Sequence, residues 1–126
     1  ENKSVIFVSS ELAEIMAEQR LIRGVTLSGG EPFLQAEALI PFATIVKKNS
    51  LNLIAYTGYY FEDLLKLSAE NTNIMELLKY IDVLIDGPFV LQQKDLSIPF
   101  RGSKNQRLVD VKRSLETGNV VTLAQI

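Results

Sequence analysis

The stretch Gly24-Val-Thr-Leu-Ser-Gly-Gly-Glu-Pro-Phe33 decides how this chain is read. Gly24 to Ser28 is a short apolar and β-branched run, the pattern of one buried strand. Gly29-Gly30 stops it, and paired glycines turn tightly while leaving their amides and carbonyls unshielded for a ligand. Glu31 places an ionised carboxylate at the strand end, suited to an ammonium group, and Pro32 fixes the exit. Ser28, Gly29, Gly30, Glu31 and Pro32 are therefore candidate binding residues. The same residues also read as a plain Gly-Gly turn followed by a solvated glutamate at a helix start. The stretch is not a phosphate loop, because the Gly-x4-Gly-Lys spacing and its lysine are absent.

Working outward, strands and helices alternate. Upstream, Ser9-Ser10-Glu11 opens a helix with a hydroxyl for its N-cap and an acid in its first turn, ending near Arg20 to Arg23. Downstream, the pattern predicts a helix from Gln35 to Lys48, which Pro41 should kink or restart because proline lacks the N–H that a helix interior needs. Leu51 to Thr57 reads as a second strand stopped by Gly58. Phe61 to Leu67 and Asn73 to Lys79 read as short amphipathic helices, and Ile81 to Asp86 as a third strand stopped by Gly87-Pro88. Gln92 to Gln106 is polar and irregular. Leu108 to Val111 adds a strand, Lys112 to Thr117 a helical turn, and Val120 to Leu123 a last strand. The fold class is α/β: a parallel sheet with outer helices in a single domain over residues 1–126. In such folds the loops after the strands build the site. Ser28 to Glu31, Thr57-Gly58 and Asp86-Gly87 thus fall on one rim. Phe33, Phe42, Phe61 and Phe89 are expected in the core, and Tyr56, Tyr59 and Tyr60 in packing roles rather than stacking on a base.

Composition narrows the chemistry. The 126 residues include no cysteine, no histidine and no tryptophan, and 13 basic against 15 acidic residues leave a net charge of −2. These residues therefore offer no disulfide, no thiolate nucleophile, no cysteine ligand for zinc or an iron–sulfur cluster, and no imidazole base. A pI near 5.2 is no signature of a nucleic-acid binder. No window approaches the 18 or so apolar residues of a membrane span. Charge is uneven: Lys94 to Arg113 holds six basic and two acidic residues. That run is either a solvated face or a docking patch for an acidic partner.

Four segments in order carry a resemblance. Gly24 to Phe33 resembles the Gly-Gly-Glu-Pro segment of radical S-adenosylmethionine enzymes. Ala55-Tyr-Thr-Gly-Tyr59, Asp82-Val-Leu-Ile-Asp-Gly-Pro-Phe89 and Arg101-Gly-Ser-Lys-Asn-Gln106 narrow it to the small activating proteins of anaerobic ribonucleoside-triphosphate reductases. The resemblance implies an incomplete (βα) TIM-like barrel in a cytoplasmic protein. It implies a 4Fe–4S cluster that chelates S-adenosylmethionine and cleaves it, so that a glycyl radical forms on the large reductase subunit, with an electron donor such as flavodoxin. By matching position, Gly29, Gly30 and Glu31 would hold the methionine end. Thr57 would lie near the ribose or the methionine carboxylate, and Asp86 at the ribose or sulfonium. Arg101, Ser103, Asn105 and Gln106 would close over the cofactor or meet the partner. The set is chemically apt, since the ligand needs acceptors for its ammonium and ribose diol and donors for its carboxylate.

The chain departs from that family in one respect. The family's cluster sits on a Cys-x3-Cys-x2-Cys loop after the first strand, and this chain has no cysteine. The start at Glu1 favours a chain cut just past that loop over a homologue that has lost its cluster. Either way these residues are expected to be inactive alone. The alternative functions are a non-catalytic module that binds a nucleoside-like ligand or a partner, and another small radical enzyme of the same superfamily.

Overall fold

The computed structural model describes residues 24–98 and 100–123. The helix expected from Ser9 lies outside them. In chain order the elements are β1 (Gly24–Leu27), α1 (Ala36–Lys48), β2 (Asn52–Tyr56), α2 (Phe61–Ser68), α3 (Thr72–Tyr80), β3 (Val83–Asp86), β4 (Arg107–Asp110) and α4 (Val111–Thr117). Short 3-10 turns at Pro32–Gln35 and Leu91–Gln93 complete the list.

The strands lie side by side as β1-β2-β3-β4. β1, β2 and β3 are parallel, with Leu27 opposite Ala55 and Ala55 opposite Leu84. β4 is antiparallel to β3, Asp86 facing Arg107. The sheet is therefore mixed, which corrects the expectation of a parallel one. The reason lies between β3 and β4. A parallel return needs a crossover, usually a helix. The described residues between 87 and 106 contain no such helix, and the chain re-enters the sheet at the end it left. Val120 to Leu123, expected as a last strand, forms a single bridge, Thr122 to Val109, beside β4.

The described helices all pack on one face of the sheet. Val25, Leu27, Leu53, Ala55, Leu84 and Val109 point into that layer, against Leu39, Phe42 and Val46 of α1, Phe61 and Leu64 of α2, and Leu77 and Leu78 of α3. The opposite face carries Val83, Ile85 and Leu108 with Ile54, Tyr56 and Leu123. Strands buried on both faces read as continuous apolar runs, and β3 is buried at all four positions. Sequential strands with every crossover on one side are the winding that a (βα) barrel uses. Among the described residues the sheet stays open.

α1 continues through Pro41, so the proline does not restart the helix; it faces solvent, and the carbonyl of Glu37 that loses its partner is free to bond water. Phe33, Phe42 and Phe61 are buried as expected, but Phe89 is 52% exposed. It lies beyond the end of β3, over the rim, against Gly102 rather than under a helix. At the opposite end of the sheet, Asp82 Oδ2 accepts from Lys47 Nζ at 2.6 Å and from the Leu53 amide at 2.7 Å, tying α1, β2 and β3 together.

A candidate binding cleft at the strand ends

The three parallel strands deliver Ser28–Glu31, Thr57–Gly58 and Gly87 to one rim, where they surround an open cleft of about 350 Å³. Its walls are Gly29, Gly30, Glu31, Pro32, Tyr56, Thr57, Gly58, Gly87, Phe89 and Gln106. Glycine is required at two of these positions. Gly29 has φ +105° and Gly87 φ +103°, and a Cβ on Gly87 would sit 2.7 Å from Cε1 of Tyr60. Among the described residues no partner bonds the amides of Gly29 and Gly30. Free amides at a rim are donors awaiting an acceptor.

Glu31 braces the cleft. Its Oε2 accepts from Thr57 Oγ1 at 2.7 Å and from the Phe33 amide at 3.1 Å, and Oε1 accepts from the Gly58 amide at 2.8 Å. Three of roughly four lone-pair directions on the carboxylate are thus occupied within the protein. Thr57 Oγ1 also accepts from the Tyr59 amide and is buried. Both groups lie in the cleft wall, but their polar atoms face each other.

Asp86 is turned the other way. Alternation along a strand sends neighbours to opposite faces, so Asp86 shares the helix face with Leu84. It is fully buried. Oδ2 accepts from the Phe61 amide at 2.7 Å, capping α2 from the neighbouring strand, and from Arg107 Nη2 at 2.6 Å; Oδ1 accepts from Arg107 Nε at 3.0 Å. The guanidinium also donates to Glu62, at 2.7 Å in its shorter bond, and lies over the Tyr60 ring, 5.4 Å from the centroid. The two carboxylates, Asp86 foremost and then Glu62, raise the Arg107 pKa well above its usual range. In return the Arg107 hydrogen bond lowers the pKa of Glu62. Sequence reading passed over Arg107; its signal is an arginine at the first position of a strand that faces a buried strand-end aspartate.

The Arg101–Gln106 segment organises the loop beside the cleft. Ser103 is buried; its Oγ accepts from the Val90 amide and donates to Asn105 Oδ1 at 2.6 Å. Asn105 Nδ2 donates to Tyr60 Oη and to the Pro88 carbonyl. Gln106 Oε1 accepts from the amides of Gly102 and Ser103, while its Nε2 donates to the Gly87 carbonyl. Of this segment only Gln106 lines the cleft. Arg101 is half-buried outside it, and its Nε has no partner among the described residues. Ser28 is exposed at the edge of the rim. Tyr56, at the tip of β2, lines the cleft from the face opposite the helices, and burial raises its pKa.

A cluster does not fit these residues. The chain has no thiolate or imidazole, and no group of acidic side chains among the described residues could hold a metal ion. No helix of the described residues is long and apolar enough to cross a membrane.

The geometry defines a rim site on a βα sheet, and the profile of the 4Fe-4S single cluster domain family matches residues 1–109. Similarity to individual proteins is more specific. The chain is 37% identical to the anaerobic ribonucleoside-triphosphate reductase-activating protein of Haemophilus influenzae, over 82% of this chain and 72% of that protein. It is 36% identical to the activating protein of Pasteurella multocida, over 79% of this chain and 63% of that one. Identity to the activating protein of Enterobacteria phage T4 is also 36%, over 78% of this chain and 59% of that one. The chain belongs to the family of anaerobic ribonucleoside-triphosphate reductase-activating proteins. No solved structure gives a significant match.

Proposed function

We propose that the whole protein is a radical S-adenosylmethionine activase. It would generate a glycyl radical on the large subunit of an anaerobic ribonucleotide reductase, taking its electron from a donor such as flavodoxin. The described strands would then be part of an incomplete TIM-like barrel in a cytoplasmic protein. The observation that carries this reading is the cleft in which Gly29-Gly30-Glu31, Thr57-Gly58 and Gly87 meet, in a chain that belongs to the activating-protein family. S-Adenosylmethionine, when bound, supplies a sulfonium bond whose reductive cleavage yields a carbon radical.

The chain's own residues have narrower tasks. The amides of Gly29 and Gly30 would donate to the ligand carboxylate, and the carbonyls of that loop would accept from its ammonium. Glu31 has one lone-pair direction left for that ammonium; its main role is to hold the β1 loop against the β2 loop through Thr57 and Gly58. Tyr56 would donate to a polar atom of the ligand. Asp86 acts behind the wall, Thr57 within it as the partner of Glu31, and the Ser103–Asn105–Gln106 brace sets the cleft's far edge. No step through a cluster is assigned to these residues, and alone they are expected to be inactive.

The test uses the full natural protein, reconstituted with iron and sulfide without oxygen. Reductant should convert S-adenosylmethionine to methionine and 5′-deoxyadenosine, and Gly29→Val should abolish binding of the intact ligand by calorimetry. A protein that binds S-adenosylmethionine without cleaving it would favour the non-catalytic module.

A further inference from the structure

We propose that the loop Pro88–Lys104 is a preformed docking surface for an acidic, partly apolar face of a protein partner. This rests on the activase reading, which requires a protein substrate, and it identifies where that substrate seats. Six large apolar side chains stand exposed among the described residues. Four of them are on this loop: Phe89, Leu91 at 69%, Leu96 at 76% and Phe100 at 51%. Apolar groups gathered at an exposed surface mark an interaction site more often than scattered ones do.

The loop is not slack. Its arms form a narrow ribbon: the Lys104 amide donates to the Gln93 carbonyl, the Asp95 amide to that of Gly102, and Lys94 bridges to Ser103. Ser103, Asn105 and Gln106 fasten the base to Val90, Pro88 and Gly87. Phe100 is held at φ +68°, a left-handed conformation uncommon for a bulky residue. A surface fixed before binding loses little freedom when a partner arrives.

Charge selects the occupant. Lys94, Arg101 and Lys104 stand against the single acid Asp95, and none of the three forms an ion pair among the described residues. An acidic polypeptide would complement them and be steered toward them. Phe89 belongs both to this loop and to the cleft wall, so a partner seated on the loop presents a segment at the cleft mouth.

The experiment measures binding of the full natural protein to the large reductase subunit by sedimentation and surface plasmon resonance. Three double variants are compared: Leu91→Ser with Leu96→Ser, Lys94→Glu with Lys104→Glu, and, on the other exposed apolar patch, Leu34→Ser with Leu67→Ser. The first two should weaken binding at least tenfold, the lysine pair should flatten its salt dependence, and the third should change it less than twofold. Cleavage of S-adenosylmethionine without the partner should be unchanged in all three. Wild-type binding that survives both loop variants overturns the docking surface while leaving the activase reading intact. Wild type that cleaves S-adenosylmethionine but never binds the reductase overturns the activase reading itself. Loop-dependent binding to anionic phosphatidylserine vesicles, with none to the reductase, would make the surface a membrane contact and also refute the proposal.

Discussion

Thr57 Oγ1 donates a 2.7 Å hydrogen bond to Glu31 Oε2 across the gap between the loops that follow β1 and β2. With the Gly58 amide on Oε1, it makes Glu31 a strut between two rim segments. Glu31→Ala removes both cross-loop bonds and should lower unfolding stability by about 1–3 kcal/mol, chiefly the cost of leaving the buried Thr57 hydroxyl without its partner, since the Gly58 amide is exposed to water. Urea denaturation of the variant and the parent decides it. A loss under about 0.5 kcal/mol, with ligand binding abolished, would return Glu31 to a purely ligand-facing role.

Arg107 should matter more for stability than any cleft residue. Arg107→Met strands the carboxylate of Asp86 in a fully buried site and should cost about 3–5 kcal/mol. Arg107→Lys should recover only part of that, because an ammonium cannot bond both Asp86 oxygens side by side as the guanidinium does. Replacing both residues, as Asp86→Leu with Arg107→Met, should cost less than Arg107→Met alone. The double-mutant cycle checks the sign.

Gly87 and Gly118 test the backbone argument as a pair. Both have positive φ, but a Cβ on Gly118 meets open space and one on Gly87 meets Tyr60 at 2.7 Å. Gly118→Ala should cost about 1 kcal/mol, the ordinary penalty of a left-handed alanine. Gly87→Ala should cost clearly more, by displacing Tyr60 from under Arg107 and Asn105. Equal thermal shifts for the two variants would contradict the crowding.

Glu62 gives a pH-dependent contribution of known sign. Its folded pKa is depressed below the usual 4.5 by the Arg107 hydrogen bond. A depressed carboxylate stabilises the fold above its unfolded pKa, and the contribution fades as pH falls through the folded value. Wild type should therefore exceed Glu62→Gln in stability at pH 7, with the difference shrinking below about pH 4.5. Glu62 is half exposed, so the difference at pH 7 should stay within about 1 kcal/mol. A difference that is constant from pH 7 to pH 3 would rule out the pair as its source.

The sequence made the frame legible where periodicity and punctuation agreed. Val25 to Leu27, Leu53 to Tyr56 and Val83 to Asp86 are apolar runs closed by glycine, and each is a strand within a residue or two of its expected bounds. Strand direction was not legible at β4, because parallel and antiparallel partners show the same side-chain alternation. Only the lack of a crossover helix between Gly87 and Gln106 betrays the reversal. Side-chain facing was the other blind spot. Asp86 ends its strand as a rim carboxylate should, yet strand parity sends it to the helix layer, where Arg107 meets it. Phe89 looked like core by residue type, and its neighbours Gly87 and Pro88 already place it past the last strand position.

The reversal of β4 has a further consequence. Residues 87–106 leave the sheet at Asp86 and return at Arg107, two positions that face each other in register and are locked by their own ion pair. The excursion is thus a cassette with a closed base. Changes confined to its tip should leave the strands that carry its base in place. A graft of this segment from one activating protein to another, cut at those two residues, should carry partner preference with it and leave the host scaffold folded.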